Sequence, residues 1–147
     1  MKKIKSILVL MTLVGGLYAQ TAVTPPAIVK TKFDSMFPTA TAVKWVKSGV
    51  DYEADFTNGT KTMKVKYAKT GVYMERQMMI DQSALPENAK NYILTHYAGK
   101  NVLNVYKVTK SNGNVTYTAS VGGKALKFDS SGNYVAASGT ATKAKPK

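Results

Sequence analysis

Residues 51–67 read DYEADFTNGTKTMKVKY, and residues 115–128 read VTYTASVGGKALKF. In the first stretch Tyr52, Ala54 and Phe56 alternate with Asp51, Glu53 and Asp55. After Asn58-Gly59, Met63, Val65 and Tyr67 alternate with Thr62, Lys64 and Lys66. Two runs of period two around an Asn-Gly pair predict an antiparallel hairpin with one buried and one wet face. The second stretch has the same plan. Tyr117, Ala119 and Val121 alternate with Thr116, Thr118 and Ser120, and Gly122-Gly123 turns the chain into Leu126-Lys127-Phe128.

The correspondence extends outward from both hairpins. Upstream of the first, Val29, Phe33, Met36 and Phe37 fall at i, i+4, i+7 and i+8, an apolar helical stripe. Pro25-Pro26 precedes it and Pro38 ends it. Upstream of the second, Ala89, Ile93, His96 and Tyr97 repeat that spacing between Pro86 and Gly99. Val43 and Trp45, and later Leu103 and Val105, mark an apolar strand after each helix. Val72 to Ile80 and Asn133 to Ala136 close each unit after Gly71 and Gly132. The strand connections are too short for parallel crossovers. One helix per unit covers one sheet face. The fold class is therefore α+β, a tandem repeat of one helix plus about four antiparallel strands. Two helices pack on one face of an approximately eight-stranded sheet.

The N-terminus reads as an export signal. Lys2, Lys3 and Lys5 precede an apolar run from Ile7 to Leu17, with cleavage expected near Ala19. The run is too short to span a bilayer, so no transmembrane segment is expected after signal removal. The expected organisation is signal peptide 1–19, polar leader 20–26, a single duplicated domain 27–137 and a disordered basic tail 138–147. The repeats would cover about 27–80 and 83–137. The expected location is periplasmic or secreted. The chain has no cysteine, which excludes thiol catalysis, disulfides and Cys-ligated metal sites.

Net charge is +13, and 20 of the 21 basic residues are Lys, with Arg76 the exception. Phosphate and base readout favour the guanidinium fork, so this bias argues against specific nucleic-acid binding. Most aromatics, including Trp45, Tyr52, Phe56, Tyr67, Tyr117 and Phe128, lie on the apolar phase and are expected in the core. Tyr73 and Tyr106 are ambiguous in phase.

Several short motifs occur in a fixed order. They are the Phe37-Pro38 helix end, Val43-Lys44-Trp45, Tyr52-Glu53-Ala54-Asp55-Phe56 before Asn58-Gly59, Leu85-Pro86, and Phe128-Asp129-Ser130-Ser131-Gly132. Together, over roughly Ala27 to Val135, they resemble the PepSY-like, beta-lactamase-inhibitor-like family of small exported bacterial proteins. The resemblance implies the tandem helix-plus-four-strand fold with a concave open sheet face, a periplasmic or secreted setting and a non-enzymatic binding role. No inhibitory loop residue matches, and the cysteines of the inhibitor prototype are missing, so beta-lactamase inhibition does not carry over.

The inventory for catalysis is thin. His96 is the one histidine, and in the repeat it stands where Met36 stands, so it is expected to be a packed, hydrogen-bonded helix-end residue. Asp51, Glu53 and Asp55 share one strand face, but a calcium loop needs turns and carbonyl ligands. Hairpin closure sets Glu53 and Asp55 beside Lys64 and Lys66, which predicts cross-strand ion pairs. No catalytic residue, cofactor or metal is expected.

The functional expectation is a non-enzymatic exported protein-binding or inhibitor-like module acting on an unknown protein or peptide partner in the cell envelope. Its contact surface would be the open sheet face, carrying Lys44, Glu53, Asp55, Lys64 and Lys66 from the first unit. The second unit supplies Thr116, Thr118, Ser120 and Lys127. One alternative is an envelope-associated protein that binds anionic polymers weakly through its Lys excess. A hydrolase or metalloenzyme is a second, disfavoured by the single His.

Overall fold

The computed structural model describes residues 22–138. The signal segment 1–19 and most of the basic tail lie outside the described residues. Helix α1 (Ala27–Met36) is followed by strands β1 (Ala40–Ser48), β2 (Asp51–Asn58), β3 (Lys61–Tyr67) and β4 (Tyr73–Met79). A 3₁₀ turn (Gln82–Ala84) leads to α2 (Glu87–His96). Then come β5 (Val102–Lys110), β6 (Val115–Val121), β7 (Lys124–Phe128) and β8 (Tyr134–Ser138). All eight strands form one sheet in chain order, each antiparallel to the next. Ser138 thus belongs to the last strand, not to the tail as expected.

Each helix starts directly after a proline in the extended conformation, Pro26 (ψ 148°) and Pro86 (ψ 147°). Proline tolerates this position because the first helical N–H groups have no partner within the helix. Each helix seats one stripe on the sheet. Val29 and Phe33 bury against Ala54, Phe56, Met63, Val65 and Tyr67. Ala89 and Ile93 bury against Val105, Ala119, Val121, Leu126 and Phe128. The first cluster is aromatic. Phe33 meets Phe56 edge-on at 4.9 Å and Trp45 at 5.2 Å. The second is mainly aliphatic.

The stripes are shorter than the sequence period implies. Met36 is 45% exposed, and its Sδ accepts a hydrogen bond from the Tyr67 hydroxyl at 3.3 Å. His96 is exposed, its ring lying tilted against Tyr92 with centroids 4.3 Å apart instead of packing inward. Both follow the last buried helical residue and lie beyond the sheet contact. The leader is also structured in part: Pro25 is buried, and the Val23 N–H donates to the Trp45 carbonyl.

Four register shifts interrupt the sheet, in β1, β4, β5 and β8, and those in β1 and β5 alter the apolar alternation after each helix. Between Thr41 and Lys44, β1 carries one residue more than β2, and between Leu103 and Tyr106, β5 carries one more than β6. Ala42 (φ 53°) and Asn104 (φ 48°) take the left-handed conformation at these points. Val43 and Leu103, expected as buried strand residues, are therefore 39% and 59% exposed. Downstream of the first bulge, Val46 pairs with Glu53 and is buried on the side away from the helices. The first hairpin turn is Gly59-Thr60, one residue later than the Asn-Gly signal, because Asn58 pairs with Lys61.

Burial lifts the Tyr67 hydroxyl from its ordinary 10.0 to about 12, with Tyr73 nearby adding to the effect. Between those values an unfolded chain releases this proton while the folded one keeps it. Stability therefore falls as pH rises from about 10 to 12, and below 10 the group contributes no pH dependence. Tyr67→Phe should flatten this alkaline loss and change neutral stability by no more than about 1 kcal/mol. Thermal melts of both proteins from pH 8 to 12 check this. Parallel profiles would contradict it.

Candidate functional site

The candidate site is the sheet face away from the helices. In antiparallel strands, directly opposed residues share a face. Lys44 opposes Asp55, and Val46 opposes Glu53. Glu53 opposes Lys66 and Asp55 opposes Lys64. Lys64 then opposes Gln77, and Lys66 opposes Glu75. Glu75, Gln77 and Met79 oppose Lys110, Val108 and Tyr106. Tyr106 and Val108 oppose Thr118 and Thr116, while Leu103 opposes Ser120. Thr118 opposes Lys127. All nine sequence-predicted site residues therefore lie on one face of one continuous sheet.

The expected cross-strand ion pairs form, with one shift of partner. Lys64 Nζ lies 3.0 Å from Asp55 Oδ1 and 3.4 Å from Glu53 Oε1. Burial opposes the Lys64 charge, but the carboxylates of Asp55 and Glu53 outweigh it and hold the ammonium above its ordinary 10.5. Lys66 pairs diagonally with Asp51 at 3.6 Å rather than with Glu53. These half-buried pairs fix side chains on β2 and β3. Each contributes only about 1 kcal/mol or less.

Towards β5 and β6 the face changes character. Tyr106, Val108, Thr116, Thr118 and Ser120 form a neutral patch in which Val108 is buried and the rest are half-buried. Sequence reasoning left Tyr106 ambiguous and did not place Val108 here. The signal was the second bulge, which cannot be read without knowing the β5–β6 register. Tyr73 turns to the other face, opposite Tyr67, and donates to the Thr109 carbonyl at 3.3 Å.

The remaining polar clusters are structural. Asp129 Oδ1 accepts from the Ser131 and Asn133 N–H groups at 2.9 Å, and the Asn133 side chain donates to Oδ2 at 3.0 Å. Hydrogen bonds from Asn133, side chain first, hold this carboxyl below its ordinary value. This is turn chemistry. Among the described residues no group of three or more His, Asp or Glu is placed to hold a metal ion. Among them also, no helix is long and apolar enough to cross a membrane.

Solved structures share this architecture. A protein from Bacteroides eggerthii DSM 20697, described as periplasmic, superposes with a TM-score of 0.72 at 18% identity, over 79% of this chain and 89% of that one. A DUF2874 family protein from Bacteroides uniformis ATCC 8492 gives 0.70 at 24% identity, over 78% and 89%. A BLIP-like protein from Bacteroides fragilis NCTC 9343 gives 0.64 at 19% identity, over 80% and 88%. No family model and no curated protein matches the chain. At these identities the likeness establishes the fold alone: two helices on one side of an open, eight-stranded antiparallel sheet.

Proposed function

We propose that this chain is a non-enzymatic exported binding protein whose open sheet face holds a protein or peptide partner in the cell envelope. On this reading residues 1–19 are removed near Ala19, and 27–137 is one duplicated, PepSY-like domain. Three features support duplication. Pro26 and Pro86 have nearly the same backbone angles. Gly71 (φ 85°) and Gly132 (φ 86°) both sit beneath a helix N-terminus. Each unit also has one bulged first strand.

The observation that carries the functional reading is the face itself. Nine candidate residues from both halves lie on one side of the sheet, and both helices lie on the other. Its ion pairs leave a rigid charged half beside a neutral hydroxyl and aromatic half. Rigid half-buried side chains lose little entropy on binding. The neutral half supplies a half-buried tyrosine, Tyr106, of the kind enriched among interface hot spots.

The test should avoid Lys64, because a carboxylate there would face Glu53 and Asp55 and damage the fold. Thr118→Arg is better, since it adds bulk at the centre of the neutral half and breaks no ion pair; it sets one like charge opposite Lys127, so a melting curve must verify the fold. Capture of the envelope partner should fall at least about tenfold, equivalent to about 1.4 kcal/mol. Unchanged capture by a folded variant would refute the assignment.

A further inference from the structure

We propose that the helix-side surface at the middle of the sheet, between the two helix-covered cores, binds a small oxyanion through Arg76 and Lys107. Arg76 opposes Val65 and Thr109, and Lys107 opposes Met78 and Tyr117, so both cations lie on the helix side. The two core clusters stop short of them. Arg76, Met78, Lys107, Thr109 and Val115 line a cavity of about 190 Å³.

Three features make this more than a solvated stretch of strand. Arg76 is the single arginine in a chain with 20 lysines. It sits diagonally across from half-buried Lys107 on the adjacent strand, so two like charges border one cavity within reach of a shared ligand. No carboxylate lies within 4.0 Å of either cation among the described residues. All eight Asp and Glu residues of the chain fall within 22–138. No acidic side chain of the chain can therefore supply the compensating charge from outside the described residues.

The chemistry fits a carboxylate or phosphate group. The guanidinium fork grips two oxygens, and the ammonium adds a point charge. Thr109 contributes a hydroxyl, and its carbonyl is tied to the Tyr73 phenol. Arg76 is exposed, while half-buried Met78 and Val115 form the apolar side of the cavity and leave the guanidinium accessible to a dissolved anion. The site lies on the opposite side of the sheet from the proposed partner face and stands independently of it.

The test is titration of the protein with inorganic phosphate and, separately, with succinate. It is followed by the Arg76 guanidinium NMR signal and by calorimetry. Saturable binding of at least one anion is expected. The tighter of the two identifies the phosphate or the carboxylate as the preferred group. Arg76→Gln and Lys107→Gln should each weaken binding at least about tenfold, and Arg76→Lys should weaken it by losing the fork. Lys110→Gln, on the other face, should change it less than about twofold, because exposed charges are screened at that distance. Saturating anion should raise the melting temperature of the wild type and not that of Arg76→Gln. Absence of saturable binding up to about 10 mM anion would overturn the proposal. An Arg76→Gln variant that binds like wild type, or a Lys110→Gln variant that weakens as much as Arg76→Gln, would do the same.

Discussion

Phe33→Ala is expected to lower stability by about 3–5 kcal/mol, a large share of a small domain's total. Phe33 is 2% exposed and joins α1 to three strands. Its ring meets Phe37, Trp45 and Phe56 within 5.5 Å. Truncation removes the buried ring, leaves a cavity in a close-packed aromatic cluster and deletes edge-to-face contacts worth about 0.5–1.5 kcal/mol each. Leu94→Ala, at a position 70% exposed on α2, is expected to stay within about 0.5 kcal/mol. Urea unfolding of both variants checks the contrast. A cost below 1 kcal/mol at Phe33 would mean that α1 is not docked as described.

Gly132→Ala is the second large effect, expected at about 2–4 kcal/mol. Gly132 has φ +86°, and an added Cβ would lie 2.7 Å from Pro86 Cβ and 2.8 Å from the Ala89 backbone nitrogen. The left-handed conformation alone costs an L-residue about 1–2 kcal/mol. The remainder comes from pushing the β7–β8 turn off the first turn of α2. That turn cannot shift freely, because Asp129 caps it and the Asn88 side chain donates to the Ser131 carbonyl. Gly123→Ala separates the two contributions. It has φ +81° and nothing within 4 Å, so only the conformational cost of about 1–2 kcal/mol applies. Equal losses at the two glycines would show that the α2 contact is unimportant.

These residues also show what could be read from the chain. The hairpin of 51–67 was legible because strict alternation shows which residues share the wet face, while the Asn-Gly signal put the turn one residue early and so missed the register that sets Lys64 opposite Asp55. The helices were legible from stripes beginning at Val29 and Ala89. The bulges at Ala42 and Asn104 were not. A positive φ at Ala or Asn leaves no periodic trace, yet it moved Val43 and Leu103 outward. His96 was misplaced for a related reason. Its surroundings depend on Tyr92 and on Tyr134, which stacks on Tyr92 from the last strand. The Arg76–Lys107 pair was hidden because β4, reading YMERQMM, shows no alternation to reveal which way Arg76 points. Its β5 partner is set by pairing across α2.

The wet face was legible as a list of polar residues, but its neutral centre was not. Tyr106 and Val108 join Thr116 and Thr118 only through the β5–β6 register. The most direct measurement is therefore made at that centre. Wild type, Thr118→Arg and Leu94→Arg would be compared for capture of the same envelope protein, quantified by mass spectrometry, with melting curves to verify folding. The account predicts at least about tenfold loss for Thr118→Arg and less than twofold change for Leu94→Arg. Retention by a folded Thr118→Arg protein, with loss in Leu94→Arg, would place the partner on the helix side and contradict it.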